Sequence, residues 1–192
     1  MNTAKVNTAF PRRELIILAL LTVLWGLNWP VMKIAVTDYP PWLFRGLTLF
    51  LGVLLIAMYM VWNKLSFVMP RSYWAQFAWL TLLNVLIGHA ISVYAVKYLS
   101  SGRVAILGYT MPIWVVIFSI VLDKAVLTRK EWLGILATTV GIAALLWDEF
   151  AQLSGKPLWV GVMLFTAAVW GLGTLEMRRK PTPSNISSTA VT

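Results

Sequence analysis

Six apolar stretches, each long enough to cross a lipid bilayer as a helix, constrain this chain more than any short motif in it. They fall at 15–36, 42–62, 73–96, 103–122, 132–147 and 158–175, with short polar or cationic gaps between them. About 20 helical residues bridge roughly 30 Å of hydrocarbon, and only backbone that satisfies its own hydrogen bonds survives there. The fifth stretch is the shortest. Aromatic residues mark the ends as an interfacial belt would: Trp42 and Trp62 on the second, Tyr73, Trp74, Tyr94 and Tyr98 on the third, Trp132 and Trp147 on the fifth. With 59% apolar residues and only 12% charged, the chain carries about half the charge that a soluble domain spreads over its surface. The expected fold class is an all-α membrane protein with six transmembrane helices.

The first stretch follows Lys5, Arg12 and Arg13 as a secretory signal would. It is too long for a signal's apolar region, contains Trp25, Asn28 and Trp29, and reaches Lys33 without a small-residue cleavage site. A retained anchor is expected. Orientation follows from the cations. Lys5, Arg12, Arg13, Lys64, Arg71, Lys124, Arg129, Lys130, Arg178, Arg179 and Lys180 fall on one side, whereas only Lys33, Arg45, Lys97, Arg103 and Lys156 fall on the other. That bias predicts a multi-pass protein of the cell membrane with both termini cytoplasmic and external loops around Asp38, Ser101 and Gly155.

The net charge of +9 does not point to nucleic acid, because the cations cluster beside apolar runs and form no basic helix face. The expected partners are the lipid bilayer and a small-molecule substrate of unknown identity, with no nucleic acid; an oligomer or a second subunit stays open. The chain has no Cys and one His, which excludes thiolate metal sites, Cys nucleophiles and His-rich metal sites, and no cofactor is expected. Without a Gly-x-Ser-x-Gly, a His-Glu-x-x-His or paired intramembrane Asp residues, an enzyme is not expected.

A tripeptide recurs. Trp25-Gly26-Leu27 in the first stretch is repeated as Trp170-Gly171-Leu172 in the sixth, and a cation follows each Trp at the same interval, Lys33 and Arg178. Five intervening crossings are an odd number, so the second copy runs in the opposite direction, as in the inverted-topology repeats of secondary transporters.

Further words combine with these: Asn28 and Lys33 in the first helix, Pro40-Pro41 and Arg45 entering the second, and Ala95-Val96-Lys97-Tyr98-Leu99-Ser100-Ser101-Gly102 leading to a fourth helix with Pro112. Leu127-Thr128, Trp132-Leu133-Gly134 and Gly141 follow in the fifth. As a set, these words resemble the EamA-type proteins of the drug/metabolite transporter superfamily. The resemblance implies a permease that moves small metabolites or drugs by alternating access, built as two inverted five-helix repeats.

On that basis 1–14 is a cytoplasmic segment, 15–148 a first five-helix repeat, 149–180 the first helix of an incomplete second repeat, and 181–192 a disordered cytoplasmic tail. Two departures stand out. The family commonly carries a Gly-Glu pair after the fourth helix where this chain reads Lys124-Ala125, and helices seven to ten have no counterpart. The second departure keeps open an alternative, a truncated, non-transporting remnant or an accessory membrane subunit. It also carries the expectations that the chain alone does not transport and that its sixth helix lacks packing neighbours.

Polar groups inside spans are costly and mark candidate substrate contacts. Asn28 reads as a substrate-facing amide or an interhelical hydrogen bond. Thr81, Asn84, Gly88 and Ser92 form a polar and small stripe on the third helix, with His89 beside it as a proton relay or a plain hydrogen-bonding group. Lys33 and Arg45, joined by a tight turn, read as a cationic patch at the external mouth or as residues that snorkel to the interface. Gly108-Tyr109-Thr110-Met111-Pro112 interrupts the fourth helix and presents a phenol. The candidate substrate-binding set is therefore Asn28, Lys33, Arg45, Asn84, His89 and Tyr109. Asn28, Asn84, His89 and Tyr109 are expected to share one cavity. Gly134, Thr138 and Gly141 are expected to form a packing ridge on the fifth helix.

Overall fold

The protein is described by a computed structural model over residues 12–151 and 156–180; the N-terminal segment, the loop at Gly155 and the C-terminal tail anticipated above lie outside those residues. Six helices follow in order: α1 Arg12–Asp38, α2 Pro41–Trp62, α3 Arg71–Tyr98, α4 Ser101–Asp123, α5 Arg129–Ala151 and α6 Pro157–Arg179. Among the described residues, all but α5 are long and apolar enough to cross a membrane, with mean hydropathy from 1.6 to 2.2.

Local chemistry explains the boundaries. Proline sits in the first turn of α2 and α6, where its missing N–H has no helical partner to lose. The Ser100 Oγ accepts from the Arg103 N–H to open α4. At α5, Thr128 N–H donates to Glu131 at 2.7 Å and Glu131 N–H donates back to the Thr128 hydroxyl at 3.3 Å, a reciprocal cap. Lys124 ends α4 at φ 52°, ψ 34°, a left-handed conformation that glycine adopts at no steric cost.

Two helices depart from regularity. Residues Thr81–Ile91 of α3 are wound as a π-helix, a wider turn that often accompanies functional sites. It also invalidates an α-helical angle count for the stripe on that helix. α4 is broken into Ser101–Gly108 and Met111–Asp123, with Pro112 just past the break.

α6 is the centre of the packing. Its Met163, Thr166, Ala167, Gly171, Gly173 and Leu175 are buried against α3 and both halves of α4, which overturns the expectation that this helix lacks neighbours. Small residues explain how it gets so close. A β-carbon on Gly171 would lie 3.1 Å from the Met111 carbonyl oxygen and 3.2 Å from the Val115 nitrogen, and one on Gly173 would lie 2.5 Å from the Asn84 amide nitrogen. At the α6 C-terminus Arg179 pairs with Asp123 at 2.7 Å, and the Gln76 amide donates to the Lys180 carbonyl at 2.6 Å.

A second core lies where α1 and α3 end and α4 and α6 begin, formed by Met32, Val36, Val93, Ala95, Val96, Leu99, Val104, Leu107 and Met163. Two lysines cap the end of α3. Lys33, late in α1, donates to the Val96 and Lys97 carbonyls at 3.0 and 2.9 Å, and Lys156, just before α6, donates to the Tyr98 carbonyl at 2.9 Å. α1 and α6 therefore run antiparallel. Elsewhere the apolar surface is open to lipid: Leu15, Leu18, Leu21 and Leu24 of α1 are 49–65% exposed. At Gly134 and Gly141 the anticipated ridge on α5 meets no described neighbour, since neither has an atom within 4 Å of where its β-carbon would be.

Candidate functional site

Where α1, α2, α3, α4 and α6 converge, they leave a cavity of about 530 Å³ bordered by Trp25, Asn28, Trp29, Met32, Arg45, His89, Ser92, Tyr109 and Trp170, among others. Each helix brings a group there for a local reason. Arg45 is in the second turn of α2, set by the Pro40-Pro41 turn. His89 comes from the end of the π-helical segment of α3 and Ser92 from the turn that follows it, and the Ser92 hydroxyl donates to the His89 carbonyl at 2.9 Å. Tyr109 sits at the break of α4, which frees its side chain from a regular helix face. Gly108 beside it lets the Trp29 indole approach, since a β-carbon there would be 3.3 Å from the ring.

The walls are aromatic. Trp25 and Trp170, the first residues of the two repeated tripeptides, face each other with ring centroids 6.3 Å apart. The His89 ring meets Trp170 edge-on at 4.8 Å and 64°. Among the described residues, the Arg45 guanidinium makes one weak hydrogen bond, Nη2 to Met32 Sδ at 3.6 Å, and its Nε is buried with no hydrogen-bond partner. A guanidinium offers five donors in a planar fork, so this cavity displays donor capacity that its own walls leave unused.

Of the six candidate residues, Asn28, Arg45, His89 and Tyr109 border the cavity. Asn84 and Lys33 do not. Asn84 donates to the Leu80 carbonyl at 3.1 Å and fills the space beside Gly173, while Lys33 is engaged at the end of α3. Lys33 and Arg45 accordingly serve different neighbours and form no shared patch. Trp25, Trp29, Met32, Ser92 and Trp170 were not anticipated as lining. The repeated Trp-Gly-Leu was the available signal, because two copies in antiparallel helices meet near the middle of both.

The chain matches the EamA-like transporter family over residues 13–147. Relatives include the uncharacterized transporter YoaV of Bacillus subtilis, 27% identical over 81% of this chain and 53% of its own length. A second from the same organism, the uncharacterized transporter YvbV, is 27% identical over 87% of this chain and 54% of its length. The uncharacterized inner membrane transporter YedA of Escherichia coli is 28% identical over 89% of this chain and 55% of its length. The chain thus spans about half the length of the curated relatives it matches. No solved structure gives a significant match. Six helices with lipid-facing apolar surfaces, and a family match across well over half of the sequence, establish that the chain belongs to the EamA-like transporter family.

Proposed function

We propose that this chain forms the substrate cavity of a small-molecule permease that works by alternating access. The observation that supports this most is the cavity of about 530 Å³, a size within the range of small-ligand sites, set among helices that hydrocarbon otherwise surrounds. Polar groups in such a position are costly unless they serve a water-filled path or a ligand. The end of the bundle that holds Val36, Val96 and Val104 is closed by fully buried side chains. Access to the cavity therefore runs from the membrane half that contains the N-terminal part of α1. With the excess of Lys and Arg on the side of Lys64 and Arg129, that half faces the cytoplasm, and the state described is inward-facing.

Substrate counterflow in proteoliposomes holding this chain is the test. Saturable flux that Trp25→Ala or Tyr109→Ala reduces by roughly tenfold or more, with the fold intact, supports a permease and overturns the expectation that the chain alone does not transport. Flux no greater than in empty liposomes, together with saturable binding, assigns the chain to a binding subunit instead. Orientation is checked separately. Lys64→Cys or Arg129→Cys labelled by an impermeant reagent in intact cells reverses the topology.

A further inference from the structure

The charge inside the cavity is one-sided. Among the described residues, Arg45 is its one permanent cation and no acid borders it. Glu14 and Asp38 are at the two ends of α1, Asp123 and Glu176 pair with Arg179, and Glu131 caps α5. No described residue of α5 borders the cavity.

A guanidinium taken out of water without a counter-charge is costly. Here its strongest protein contact is a thioether sulfur, and its Nε stays unpartnered. The group that satisfies a guanidinium fork best is a planar carboxylate, which accepts two parallel hydrogen bonds. Trp25, Trp29 and Trp170 supply flat apolar walls nearby, which suit a planar or apolar body attached to that head.

We infer that the cavity selects small organic carboxylates with a flat apolar body, the acid read by Arg45 and the body held between the indoles. The inference rests on the cavity being the substrate site. A cationic amphiphile is disfavoured, because it meets like charge from Arg45 and finds no carboxylate among the described lining residues.

The test uses the purified chain in phosphatidylcholine nanodiscs and three probes that share one body: 3-phenylpropionate, its primary amide, and 3-phenylpropylamine. Calorimetric titration is expected to rank the acid above the amide by roughly ten- to a hundredfold, the ratio that a charge-assisted hydrogen bond carries, with the amine weakest. Arg45→Gln brings the acid level with the amide. Arg45→Lys, which keeps the charge and loses the fork, retains part of the preference. Melting curves of both variants check that they fold, and the ranking on the unaltered chain decides the matter if either does not.

Equal or tighter binding of the amide or the amine overturns the charge selection and leaves the cavity as a substrate site. No binding of any probe by a folded chain overturns both. Lipid phosphate offers Arg45 the same kind of anion, so the titration is repeated with phosphatidylglycerol as a third of the lipid. Loss of acid binding there assigns Arg45 to the headgroup and overturns the inference.

Discussion

α1 and α6 carry the same word, Trp-Gly-Leu with a cation eight residues after the Trp, yet they meet different surroundings. α6 is buried along its length, from Met163 to Leu175. α1 is buried only near its end, at Met32 and Val36. Gly171 has α4 backbone about 3 Å from where a β-carbon would be, whereas Gly26 faces open space with nothing within 4 Å. A glycine in a membrane helix permits close approach without compelling it. What the repeat does fix is the meeting of its tryptophans, which puts Trp25 on the loosely packed side of the cavity and Trp170 on the tightly packed side.

The sharpest break of this contrast comes from filling the two glycines. Gly171→Leu would force α4 and α6 apart and is expected to cost about 3 kcal/mol or more, at the upper end of overpacking penalties. Gly26→Leu is expected to stay within about 0.5 kcal/mol of the parent. Unfolding in mixed micelles, followed by Trp fluorescence, measures both, and equal losses would abolish the distinction between the helices.

Truncation gives the next effect. In lipid the transfer part of a large-to-small penalty largely falls away, because lipid tails are as apolar as the core, and the cost of the cavity remains. Met163→Ala on α6 should therefore lose about 2 kcal/mol, and Leu21→Ala on α1 less than about 0.5 kcal/mol. The same unfolding assay reads both, and a Leu21→Ala loss as large as that of Met163→Ala would mean that α1 is packed along its whole length.

A double-mutant cycle sharpens the α6 side further. Gly173→Ala pushes a methyl group into the Asn84 amide, at a cost of about 1–2 kcal/mol, and Asn84→Ala should recover most of it. Additive losses would mean that the two positions are not in contact and would return Asn84 to the substrate-contact set.

Lys33→Met is the smallest change. Removing two charge-assisted hydrogen bonds to the terminal carbonyls of α3, from a partly exposed side chain, should cost about 1 kcal/mol. An unchanged midpoint would show that Lys33 only snorkels.

Much of the fold was legible because hydrocarbon imposes length and internal hydrogen bonding on every crossing. The stretches at 42–62 and 103–122 correspond to helices at Pro41–Trp62 and Ser101–Asp123 within two residues at each end. Pro40-Pro41 and the terminal Trp42 and Trp62 announced the first of them. The break at Tyr109 was legible because Pro112 cannot continue a hydrogen-bonded turn. The π-helical segment of α3 was not, since nothing in Thr81–Ile91 distinguishes a wide turn from a regular one before its neighbours are known. The site was legible as a set of polar groups that lipid excludes. Which of them share a space depends on helix rotation, and a polar residue satisfied by an adjacent turn, as Asn84 is by Leu80, looks the same in sequence as one that faces a cavity. The aromatic walls were hidden for another reason: Trp is equally at home at the interface, in the core and along a binding site.

The central claim is that one end of the bundle is closed while the cavity among α1, α2, α3, α4 and α6 is reached by water. The chain has no Cys, so single cysteines report without interference. A charged maleimide reacts only with thiols that water reaches, which neither lipid-facing nor core positions provide. The account predicts rapid labelling of Asn28→Cys and Tyr109→Cys and no labelling of Val96→Cys, Val104→Cys or the lipid-facing Leu21→Cys. Labelling of Val96→Cys and Val104→Cys, with Asn28→Cys and Tyr109→Cys unreactive, would contradict it.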